Sequence, residues 1–187
     1  MQLTETITHY EGRIMKRVFA LLVASVLLLS VGAVAQNKYV GTKVCAPCHK
    51  TEKSGNQFAV WQKSPHASAF ATLSTPKAAE VAKAKGLKTA AAESPECLQC
   101  HALKADAADP KDGVQCENCH GAGSSYKAMA TMKDHAKAVA AGLTDFKDAA
   151  AKEKLCVTCH NEKSPTYKKF DFKTSWAKIA HMRPKKS

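Results

Sequence analysis

The pattern Cys-x-x-Cys-His occurs four times in this chain and accounts for all eight of its cysteines. The copies are Cys45-Ala-Pro-Cys48-His49, Cys97-Leu-Gln-Cys100-His101, Cys116-Glu-Asn-Cys119-His120 and Cys156-Val-Thr-Cys159-His160. Two thiols three positions apart on one helical turn can reach both vinyl groups of a single porphyrin, and the histidine that follows then faces the iron. The spacing therefore predicts four covalently attached haem c groups. Cys45, Cys48, Cys97, Cys100, Cys116, Cys119, Cys156 and Cys159 are the attachment points, and His49, His101, His120 and His160 the proximal iron ligands. Two other chemistries use cysteines in this way. Cys100 and Cys116 enclose 15 residues, the separation found in a zinc ribbon, and an exported chain with eight cysteines can be a disulfide framework. Neither explains a histidine after all four pairs.

The rest of the composition agrees with large cofactors. Of 187 residues only 6% are aromatic, and beyond residue 35 there is no long apolar run, so a conventional core would be thin. Four flat apolar macrocycles would complete it, and the haem-free chain is expected not to fold. Alanine and lysine are abundant while valine and isoleucine are scarce, which favours helices over strands. The predicted fold class is mainly α: a multihaem cytochrome c of short helices and loops wrapped around four covalently attached haems, in one domain over residues 36–187. Helices are expected from Thr75-Pro76 to Gly86, over 124–141 with a stop at Gly142, over 144–155, and around Phe172, Trp176 and Ile179 up to Pro184. Loops are expected near Pro47, Pro95, Asp109-Pro110 and Gly121.

Residues 1–35 read as a targeting segment. Lys16 and Arg17 form a basic start, 18–31 is almost purely apolar, and Ala33-Val34-Ala35 is a small-residue cleavage site. Cleavage there starts the mature chain at Gln36, and Met15 marks residues 1–14 as a possible extension upstream of the true start. The alternative is an uncleaved membrane anchor. The expected location is periplasmic or otherwise extracytoplasmic, with a mature chain that is not membrane-embedded. Beyond residue 35 there are 25 basic and 14 acidic side chains, or +11. Eight haem propionates would reduce this to about +3. The basic excess thus partly balances the cofactor. Nucleic acid is not an expected partner, because the export signal removes the substrate and no recognition module appears.

Four irons have eight axial sites, and residues 36–187 hold seven histidines. His66, His135 and His181 remain after the motifs and are the candidate distal ligands. One iron is left without a second histidine. It is either open, and able to bind a small nitrogen oxide, or ligated by a methionine such as Met129, Met132 or Met182.

Four segments resemble the tetrahaem cytochrome c-554 family of ammonia oxidisers and its relatives. They are 39–49 (YVGTKVCAPCH), 61–73 (WQKSPHASAFATL), 113–123 (GVQCENCHGAG) followed by Asp134-His135, and 156–160 with the late helix ending at Ala180-His181-Met182. The resemblance implies a helical fold around closely stacked haems, three irons with two histidines each, and one five-coordinate iron at the second motif, here His101.

The expected function is electron transfer between redox partner proteins, a dehydrogenase donor and a cytochrome or reductase acceptor. A reductase acting on nitric oxide, nitrite or hydroxylamine at the open iron is the enzymatic alternative. No acid/base cluster is obvious beside the second motif, where Glu93, Glu96, Lys104 and Asp106 read as solvated charges. A subunit of an extracellular conducting filament is the third reading, and seven histidines are too few for four two-histidine sites.

Overall fold

Short helices follow one another wherever a capping residue and a stop signal lie close together. The computed structural model describes residues 36–103, 105 and 107–182. The expected signal peptide at 1–35 lies outside the described residues, as do Lys104, Asp106 and Pro184. Among the described residues there are nine α-helices and no strand: α1 Thr42–His49, α2 Gln57–Gln62, α3 Pro76–Ala84, α4 Pro95–His101, α5 Cys116–His120, α6 Met129–Met132, α7 His135–Ala140, α8 Ala149–Cys156 and α9 Phe172–Ile179. The chain is mainly α, and these helices belong to one unit, Asn37–Ser187. No described helix is long and apolar enough to cross a membrane.

The caps explain the boundaries. Thr75 accepts from the Ala78 N–H and Pro76 opens α3. Asp134, Asp148 and Asp171 cap α7, α8 and α9 in the same way. Both α3 and α7 end in a left-handed glycine: Gly86 and Gly142 have φ of +69° and +107°. The next N–H, that of Leu87 or Leu143, then bonds back to Ala82 or Ala138.

Three boundaries differ from the sequence reading. The helix expected over 124–141 is broken, because Asp134 turns its carboxylate onto the Lys137 N–H and restarts the helix there. The helix expected from 144 begins only at Ala149, after the Asp148 cap. Pro47 and Pro95 are not in loops: Pro95 starts α4, and Pro47 lies inside α1, where it forgoes one helical hydrogen bond.

The apolar core is small. Leu73, Ala82 and Ala91 form a cluster between the 3-10 turn Ala71–Ser74, α3 and α4, with Phe70, Leu87 and Leu98 against it. Among the described residues, five of the eight buried apolar side chains are alanines. The largest fully buried side chains are polar: Gln115, Glu117, Thr42 and Ser94.

Candidate functional site

The four motifs share one local form. The first lies in α1, the second in α4 and the third is α5 itself. The fourth starts on Cys156, the last residue of α8, and continues through a turn whose Cys159 and His160 N–H groups both bond back to the Cys156 carbonyl. All eight thiols are free.

The fold brings thiols of different motifs together. α1 packs against α5. The Cys45 thiol donates toward the Gly41 carbonyl at 3.9 Å, and its closeness to Cys116 raises Cys45 and lowers Cys116. The Cys116 thiol also lies 3.7 Å from the Thr42 hydroxyl. Burial pushes Cys100 up to about 11, with Cys159 of the fourth motif as its next neighbour. Burial likewise pushes Cys119 up to about 11, with Cys156 adjacent. The first motif thus meets the third, and the third also lies beside the second, where the Asn118 amide donates to the Ala102 carbonyl at 3.4 Å. Among the described residues no three His, Cys, Asp or Glu side chains gather as a metal site of their own.

The imidazoles pair in a second pattern. His66 lies 6.1 Å from His160, and His120 lies 5.9 Å from His181, measured between ring centres. Two imidazoles on opposite sides of one metal ion, with metal–nitrogen bonds of about 2 Å and ring centres roughly 1 Å beyond, stand about 6 Å apart. Both spacings therefore fit an iron between the rings. Burial holds His120 down at about 4, helped by His181 and His49, and burial followed by His160 lowers His66. Both rings are neutral at pH 7, the form that ligates a metal. His135 opens α7 with its Nε2 3.7 Å from the Asp145 carboxylate, and the structure brings no second imidazole against it among the described residues.

Hydrogen bonds fix which ring nitrogen is free. His49 Nδ1 lies 3.2 Å from the Gln57 side-chain Oε1, His101 Nδ1 2.8 Å from the Ala69 backbone carbonyl, and His181 Nδ1 3.2 Å from the Ile179 backbone carbonyl. Each acceptor requires the proton on Nδ1, so Nε2 keeps the lone pair for a metal. His66 is placed by its backbone, whose carbonyl accepts from the Val114 N–H at 2.9 Å. The Trp61 indole donates to the Val114 carbonyl at 2.8 Å. A Cβ on Gly113 would collide with the His66 carbonyl, so only glycine allows this approach. Tyr126 donates to the Gly121 carbonyl at 2.6 Å and fixes the loop after the third motif.

The surroundings suit apolar macrocycles. Val44 and Val157, beside Cys45 and Cys156, are exposed, as are Tyr39 and Tyr167. Flat apolar groups joined to these cysteines would cover such side chains. Of the methionines named as alternative ligands, Met129 and Met182 are 61% and 66% exposed. Glu93 and Glu96 beside the second motif are exposed. Gln57, Gln115, Glu117 and Tyr126 were missed by sequence reasoning. Only Glu117, within a motif, carried any signal, and its charge pointed to solvent.

The family model "Cytochrome c554 and c-prime" matches residues 44–121, which hold the first three motifs. Cytochrome c-554 of Nitrosomonas europaea is 27% identical over 144 residues, covering 67% of this chain and 59% of that protein. The chain thus spans under two thirds of that relative's length. No solved structure matches.

Proposed function

We propose, from the match of residues 44–121 to the cytochrome c554 family model, that the chain is a member of that family: an exported c-type cytochrome that carries four haems and passes electrons between redox proteins. The observation that carries this reading is the coincidence of four motifs with two imidazole pairs spaced for an iron. Haem c, when bound, supplies reversible one-electron chemistry.

The chain's own residues do the rest. Each cysteine pair anchors one group, and His49, His101, His120 and His160 supply one ligand each. His66 completes the site at the fourth motif and His181 the site at the third. His135 is left for the first motif, where the Asn37 amide, donating to the Ala141 carbonyl at 2.8 Å, ties the end of α7 to the segment leading into α1. No histidine is left to pair with His101, so a group held at the second motif would have one protein ligand and could take a small molecule. The first motif packs on the third, which would set their two groups side by side. The two-histidine irons favour low potentials. The open position at His101 is the place at which a nitrogen oxide would bind, so the reductase reading concentrates on that site. Partners and a periplasmic location follow from the same reading and from the targeting segment.

The test is the mass of the exported protein with its haem absorbance. Four haems and an N-terminus at Gln36 are expected. Fewer than four haems, with free thiols at one motif, would reject the assignment.

A further inference from the structure

Glu117 occupies a variable position of the third motif, where a charged side chain would be expected in solvent, yet it is only 2% exposed. Its Oε2 accepts from the Gly41 N–H at 2.7 Å and the Val40 N–H at 3.0 Å. Its Oε1 accepts from the Gly123 N–H at 2.7 Å and the same Val40 N–H at 3.0 Å. A Cβ on Gly123 would stand 2.9 Å from Oε1, so the loop is shaped to make room for the oxygen. No lysine, arginine or histidine forms an ion pair with Glu117 among the described residues. Both oxygens face donors only, which is the arrangement of an acceptor-only carboxylate; a protonated hydroxyl would aim its hydrogen at another N–H. The protein thus buries one negative charge and balances it with backbone dipoles alone.

Its position gives that charge a use. Glu117 lies between Cys116 and Cys119, and its oxygens hold the N–H groups of Val40 and Gly41, just ahead of Cys45. It therefore sits where the first and third motifs meet. We infer that Glu117 is a potential-setting carboxylate, which holds the groups attached at the first and third motifs at lower reduction potential than those at the second and fourth. This rests on the haem attachment proposed above. Reduction of ferric to ferrous iron adds one electron and removes one positive charge. A fixed negative charge nearby stabilises the ferric side, and more strongly in a low-dielectric interior than in water. The bias makes the joined first and third motifs the low-potential end, from which electrons would run downhill to the other two. It also makes Glu117 a positioning residue, since the same oxygens clasp the segment before α1 to the loop after α5.

The test uses the haem-loaded protein, wild type and Glu117→Gln, with haem counted in both and all midpoints measured by spectroelectrochemical titration. Glutamine keeps the shape and removes the charge. Two of the four midpoints rise and the other two stay in place if the inference is right; a purely structural role would not select two. Four unchanged midpoints in fully loaded Glu117→Gln would overturn it while leaving the attachment reading intact. A wild-type protein with fewer than four haems would instead bring down the attachment reading and this inference with it. Should Glu117→Gln not mature, wild-type protein labelled with 13C-glutamate serves in redox-difference infrared spectroscopy. An exchange-resistant glutamate carboxylate band that moves with the two lowest midpoints supports the inference, and its absence overturns it.

Discussion

The region where the first and third motifs meet, residues 37–49 and 115–126, and the region around the fourth motif, residues 149–182, are built on opposite principles. The former is tied by long-range polar contacts. Besides the Glu117 clasp, Gln115 is 1% exposed, accepts from the Thr42 N–H at 2.8 Å and donates to the Asp109 carbonyl at 2.8 Å. The latter contains no buried residue. Its contacts are aromatic and half exposed: His160 stacked on Phe170 at 4.8 Å, Phe172 near Trp176 at 6.1 Å, and the Lys152 ammonium 5.1 Å from the Trp176 ring. Buried hydrogen bonds specify one arrangement and can form from polypeptide alone. Stacked aromatics without an interior are a lining that takes its stability from what it covers. The chain thus joins a frame made by its own backbone to a wrap that depends on cofactor.

The largest expected effect comes from denying the chain its haems. The whole protein loses near-native helicity by circular dichroism. In hydrogen exchange, residues 149–182 lose all protection, while traces persist at the Gly41, Thr42 and Gly123 amides. Equal protection in both regions would break the contrast. Next comes Glu117→Ala, which leaves three backbone donors facing a hole and is expected to cost about 3 kcal/mol in denaturant unfolding of the loaded protein. Gln115→Ala removes the Thr42 and Asp109 contacts and is expected to cost about 2 kcal/mol by the same assay. Trp61→Phe deletes the bond to Val114, costs about 1 kcal/mol, and loosens the His66 loop. Lys152→Ala, in the cofactor-dependent wrap, removes only a half-exposed cation–π contact, worth roughly 0.5 kcal/mol. A Lys152 effect as large as that of Gln115 would show that the wrap carries its own stability.

Much of the frame was readable in the residues. The motifs announce their cofactor because two thiols and an imidazole at fixed spacing have few other uses. Thr75-Pro76 and Gly86 marked α3 because capping and left-handed φ are local properties. Three things were not readable. The pairing of His66 with His160 and of His120 with His181 depends on long-range folding, and spacing along the chain says nothing about it. Asp134 looked like one more polar residue in a helical run, and its capping geometry shows only once the backbone turns. Glu117 looked solvated because its partners are backbone amides, which every residue but proline carries and no pattern reveals.

The central claim is that imidazoles from distant segments complete the haem irons, with His101 left open. Electron paramagnetic resonance of the oxidised protein, before and after adding nitric oxide, tests it most directly. Three low-spin haems and one high-spin haem, with the high-spin signal lost on ligand addition and a second high-spin haem appearing in His181→Ala, are the predicted result. Four low-spin haems with no response to nitric oxide, or a His181→Ala spectrum identical to wild type, would contradict the account.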